Sequence, residues 1–104
     1  MNIPFGEYIR KLRSSKGLTL TQLGAMLNLD SANLSKIENG KREFDEKRLI
    51  KLAEVFELDI AELKTEFFSH EFAKKLYRNN CSQKVFRVAE KKLKYLRAKE
   101  IIKV

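Results

Sequence analysis

The chain has 104 residues, 43% apolar and 35% charged, with a net charge of +8 and a single cysteine. That is room for one domain with a modest core and an extension, while a lone Cys81 excludes an internal disulfide and a cysteine-based zinc site. The first residues, Met1 to Glu7, lack a positive region followed by an apolar stretch, and no uncharged run approaches the roughly eighteen residues that span a bilayer, so a reducing cytoplasm is the expected compartment.

In chain order the pattern predicts helices almost throughout, an all-α chain. Pro4 pre-organises a first turn, and Phe5, Ile9 and Leu12 recur at helical spacing until Gly17 ends the segment. Thr19 N-caps the next helix, and Gln22 completes a capping box that satisfies backbone N–H groups otherwise left without acceptors. Leu23 and Leu27 share one face of that helix. Leu29 lies in a tight turn, and Asp30 offers a cap to a second short helix, in which Leu34 and Ile37 face the same apolar hinge. Gly40 supplies the residue at which that helix stops. Asp45 opens a fourth helix with Leu49, Leu52, Ala53 and Phe56 as its stripe, and Val55 and Leu58 add to the core. Asp59 caps a short fifth helix carrying Ile60 and Leu63. Ser69 caps a further segment with Phe72, Leu76 and Tyr77 on one side, Asn79 and Asn80 read as a turn, and Ser82 begins a long lysine-rich last helix.

Two short capped helices joined by a tight turn make a helix-turn-helix, whose second helix is shaped to enter the DNA major groove. Side chains near the start of that second helix point toward base edges, which selects Ser31, Ala32, Ser35 and Lys36. Lys36 is the strongest candidate, because a long cation can donate to guanine O6 and N7. The motif closes on Ile37-Glu38-Asn39-Gly40-Lys41. With that ending, residues 3 to 66 resemble the Xre/Cro/C1 family of bacterial and phage repressors. The resemblance implies a five-helix repressor-like helix-turn-helix bundle over residues 1–66, followed by a C-terminal helical extension over residues 67–104. It also implies a transcriptional regulator that binds double-stranded DNA at a palindromic operator as a homodimer. Matched position by position, it assigns base reading to the same four residues and places Asn33 near the sugar-phosphate backbone. Asn39, Lys41 and Arg42 match backbone-clamping positions. Members usually carry a glutamine where this chain has Leu20, so the phosphate contact there passes to Thr19, Thr21 or Gln22. Arg13 and Glu38 match an ion pair joining the first helix to the end of the reading helix, with Arg10 as the alternative partner.

The charge is segregated. Residues 1–66 hold eleven Lys and Arg against eleven Asp and Glu, whereas residues 67–104 hold eleven against three. A neutral domain still binds DNA if its cations cluster on one face, as Lys36, Lys41 and Arg42 do. The acids Glu43, Asp45, Glu46, Glu54, Glu57, Asp59, Glu62 and Glu66 are expected to face away. In the last helix Phe86, Ala89, Leu93 and Leu96 form a two-heptad seam, with Lys91, Lys92, Lys94, Arg97 and Lys99 mostly elsewhere. Glu100 and Lys103 break its continuation. Three readings are open for this extension: ordinary packing on the bundle with solvated lysines, dimerisation, or nucleic-acid contact. An adaptor or antitoxin-like module that binds protein or RNA through these basic helices is the alternative function. Catalysis and cofactors are not expected. His70 is the only histidine and reads as an exposed residue near a cap, its neighbour Glu71 has no companion at metal-ligand spacing, and Cys81 has no partner base. Gly6, Gly17, Gly24 and Gly40 read as scattered punctuation rather than a phosphate loop.

Overall fold

Residues 3–99 are described in the computed structural model and contain six α-helices: α1 (Phe5–Ser15), α2 (Leu20–Leu27), α3 (Ser31–Glu38), α4 (Leu49–Phe56), α5 (Ile60–Arg78) and α6 (Lys84–Lys99). The expectation placed on Glu100 and Lys103 lies outside the described residues.

The caps around the central turn form as the sequence signals. Gln22 N donates to Thr19 Oγ1 at 3.0 Å while Thr19 N donates to Gln22 Oε1 at 2.8 Å. Asn33 N donates to Asp30 Oδ1 at 2.7 Å. Each such cap contributes about 1 kcal/mol. Between the two helices Asn28 takes a left-handed conformation, φ 58°, and Leu29 N donates back to the Gly24 carbonyl at 2.8 Å. Gly40, at φ +75°, follows the end of α3.

Elsewhere the boundaries differ from expectation. Asp45 caps a 3-10 turn, Glu46–Arg48, which leads into α4. The fifth helix is not short: it continues to Arg78, and Ser69 lies inside it, its hydroxyl donating to the Glu66 carbonyl at 3.3 Å instead of capping a new segment. His70 accordingly sits within α5 and is half-buried rather than exposed.

The chain divides into two compact units between Glu71 and Phe72. In the first, Phe5 and Ile9 of α1, Leu23 and Leu27 of α2, and Leu34 and Ile37 of α3 join Phe44, Leu49, Leu52, Ala53, Leu63 and Phe67 in one buried cluster. Phe5 is its aromatic centre, 5.6 Å from Phe44 and edge-on to Phe67 at 5.2 Å. Two cations from elsewhere in the chain donate to carbonyls at helix ends. Arg48 Nε donates to the Leu27 carbonyl at 2.9 Å, its Nη2 to the Asn28 carbonyl at 3.2 Å, and Lys16 Nζ donates to the Val55 carbonyl at 2.7 Å. These bonds satisfy carbonyls that α2 and α4 cannot pair internally.

The second unit holds the end of α5, the turn at Asn79 and Asn80, and α6. Asn80 is left-handed at φ 55°. Lys84 N donates to Ser82 Oγ at 3.3 Å at the start of α6. Phe72 meets Phe86 edge-on at 5.5 Å, and Val85, Ala89 and Leu96 are half-buried. Tyr77 is 88% exposed, whereas Phe72 and Leu76 are half-buried. Among the described residues no helix is long and apolar enough to cross a membrane.

Candidate nucleic-acid interface

α3 is short and two-sided. Leu34, Ile37 and Glu38 are buried, while Ser31, Ala32 and Lys36 are exposed and Ser35 is half-buried. At 100° per residue the last four fall on one arc opposite the buried three. A long cation, two hydroxyls and a methyl are thus presented together on one exposed helix surface.

Around this arc most polar side chains are already committed. Asn33 Nδ2 donates to Asp30 Oδ2 at 3.0 Å, and Arg42 Nη1 donates to Asn33 Oδ1 at 2.9 Å. Asn33 therefore orients Arg42, a role the sequence did not signal. Asn39 Nδ2 donates to the Ser35 carbonyl at 2.9 Å, and Asn39 Oδ1 accepts from Arg10 Nη2. Lys41 and Arg42 are exposed just past the helix end. At the start of α2, Thr19, Thr21 and Gln22 are all exposed, but the cap engages Thr19 Oγ1 and Gln22 Oε1 as acceptors. Leu20 is half-buried against the core, as an apolar side chain in that position would be.

Beneath the arc, Arg13 and Glu38 meet. Arg13 Nε and Nη2 donate to Glu38 Oε2 and Oε1 at 2.7 and 3.0 Å, a two-pronged fork. Arg10 Nε adds a longer bond to Oε1 at 3.4 Å, so both cations reach the same carboxylate. Arg13 Nη1 also donates to the Leu18 carbonyl at 3.0 Å. One guanidinium thereby ties α1, the loop before α2 and the end of α3 together. The hydrogen bonds that Arg13 donates to the Glu38 carboxylate, against the opposing cost of burial, raise the Arg13 pKa above its ordinary value.

Two glycines set the spacing of these helices, although the sequence marks them only as punctuation. A Cβ on Gly24 would stand 2.5 Å from the Leu29 carbonyl oxygen, and one on Gly6 would land on the Ile37 carbonyl oxygen. Both are close backbone approaches that only glycine allows. Among the described residues no group of three or more His, Cys, Asp or Glu could hold a metal ion.

A family model described as helix-turn-helix matches residues 9–63. Over 55 residues, 52% of this chain and 41% of the relative, the chain is 42% identical to the HTH-type transcriptional repressor RghR of Bacillus subtilis (strain 168). Among solved structures it resembles the restriction-modification controller protein C.AhdI from Aeromonas hydrophila, with 32% identity and a TM-score of 0.51 over 57% of this chain and 86% of that one. It also resembles a chain of a SinR protein/SinI protein complex, with 25% identity and a TM-score of 0.50 over 89% of this chain and 97% of that one. The chain spans less than half the length of the curated relatives it matches.

Proposed function

The chain belongs to the helix-turn-helix family in its Xre/Cro/C1 form, and from that membership we propose a sequence-specific, DNA-binding transcriptional regulator that reads a palindromic operator as a cytoplasmic homodimer. The observation that carries the reading is the exposed arc of α3. Ser31, Ala32, Ser35 and Lys36 meet base edges, and Lys41 and Arg42, the latter oriented by Asn33, grip phosphates beside them. Thr19, Thr21, Gln22 and Asn39 supply further polar contacts to the backbone. With two hydroxyls and a methyl beside one cation, DNA shape carries part of the discrimination. RghR is named a repressor and C.AhdI a controller, both in keeping with this role.

A homodimer follows from arithmetic: one short reading helix contacts few base pairs, and two half-sites about 34–36 Å apart multiply the discrimination. The second unit offers the surface. Phe86 is 51% and Leu93 45% exposed, and Ala73, Leu76, Tyr77, Cys81 and Phe86 line an open groove. The same exposed apolar residues favour a second reading, in which a protein partner docks on these helices, as the SinR protein/SinI protein complex illustrates for that protein.

Selection of bound sequences from a random duplex pool, followed by footprinting, tests the function. A palindromic site should emerge, and Lys36→Ala should weaken binding to it by about 1–3 kcal/mol while relaxing preference at one base pair per half-site. Equal loss on all sequences would make Lys36 a phosphate ligand, and protection of no defined site would end the operator reading.

A further inference from the structure

α6 has two sides of opposite character. Val85, Ala89 and Leu96 are half-buried, with Phe86 edge-on to Phe72. On the other side, Lys84, Arg87, Lys91 and Lys94 fall at successive steps of three or four residues, a row about 15 Å long at 1.5 Å per residue. Val88 and Tyr95 lie beside the row, and Lys92, Arg97 and Lys99 flank it. All seven cations are exposed, Glu90 is the one acid within Lys84–Lys99, and among the described residues no ion pair joins any of the seven to another side chain.

Like charges three and four apart on a helix repel and lower its stability. Glu90, three residues after Arg87 and four before Lys94, offsets only part of that repulsion, and among the described residues of the second unit no other acid lies near the row, whose apolar counterpart is on the opposite side of α6. A polyanion does relieve it. The geometry points to a second DNA-binding surface on α6, in which Lys84, Arg87, Lys91 and Lys94 grip the phosphate backbone of duplex DNA without reading sequence. The inference rests on the DNA-binding function proposed above and adds to it a surface that the helix-turn-helix does not contain. Duplex DNA suits the row because it carries one negative charge per about 1.7 Å of its axis. An anionic membrane suits it less, since Val88 and Tyr95 alone offer too little apolar surface beside the cations to enter the lipid boundary. Single-stranded RNA needs aromatic platforms for its bases, and the row has one ring, Tyr95, with Lys99 Nζ 5.9 Å from its centre.

The test uses the full chain, the variant R87Q/K91Q/K94Q and an equal-charge control, K11Q/K51Q/K64Q. Glutamine keeps helix propensity near that of lysine and arginine, circular dichroism checks that each variant is folded, and R87K/K91R/K94R should behave as the parent. On a random-sequence duplex, the row variant should flatten the slope of log K against log salt by roughly three units and lose tenfold or more in affinity at low salt, against under one unit for the control. The sequence selected from a random pool should be unchanged. An unchanged slope, an equal effect in the control, or a loss seen only on single-stranded RNA or on phosphatidylserine vesicles would overturn the inference. A flattened slope in a chain that selects no preferred sequence would sustain it while removing the operator reading. A selected operator with an unchanged slope would do the reverse, and a parent chain that binds no duplex would remove both.

Discussion

Arg13 donates to three acceptors on two segments, and Glu38, whose side chain is 2% exposed, depends on it. Desolvating this pair offsets most of its attraction, so its net contribution to stability is small, but removing Arg13 strips the buried carboxylate of its two-pronged partner and leaves it only the longer contact of the more exposed Arg10. Arg13→Ala should therefore cost about 3–5 kcal/mol in urea unfolding. Arg10 is 42% exposed and its bond to Glu38 is longer, so Arg10→Ala should cost under about 1 kcal/mol. Equal losses from the two would mean that the Arg13 fork does not anchor α3. The residues of this network were legible as a set. Which amides brace cations was not, because Asn33 and Asn39 find Arg42 and Arg10 only once α1, α3 and the segment after it are in place.

At the scale of the helices, caps were readable where the signal is local and closed within three residues, as at Thr19 with Gln22 and at Asp30 with Asn33. Ser69 carries the same chemistry yet caps nothing, since a serine hydroxyl can equally donate to a carbonyl of its own helix. Buried Phe67 follows Leu63 at helical spacing, so the apolar stripe runs on through that position and α5 continues. Gly24 and Gly6 give the sharper test. Glycine to alanine within a helix ordinarily gains about 1 kcal/mol. Here each added methyl meets a backbone carbonyl, which cannot swing aside as a flexible side chain would. Gly24→Ala and Gly6→Ala should instead destabilise by about 1–3 kcal/mol in denaturant titrations, the range of an overpacked core. A gain in stability at either position would show that α2 against the turn, or α1 against α3, can move apart freely.

For the whole molecule, the place where the first unit ends matters most. Among the described residues every buried core residue precedes Phe72, and the last of them, Phe67, packs edge-on against Phe5. A chain ending at Glu71 should stay helical and folded, whereas one ending at Glu66 should lose about 3–5 kcal/mol, the usual cost of deleting a buried phenylalanine. If the C-terminal helices build the dimer, the chain ending at Glu71 should be monomeric by light scattering and bind a selected operator more weakly by several kcal/mol. A dimer of unchanged affinity would place the interface in the first unit. The sequence by itself determined the all-α class, the capped helix-turn-helix, the residues on its exposed arc and the segregation of charge, because each of these depends on neighbours within a few positions. Only the tertiary structure decided that Phe44 and Phe67 complete the core, that Arg48 and Lys16 close distant helix ends, that two glycines are contact points and that Asn33 serves Arg42. Most of those facts depend on groups far apart in the chain, and the Gly24 contact with Leu29, five residues on, depends on how the turn folds back; no local residue pattern encodes either.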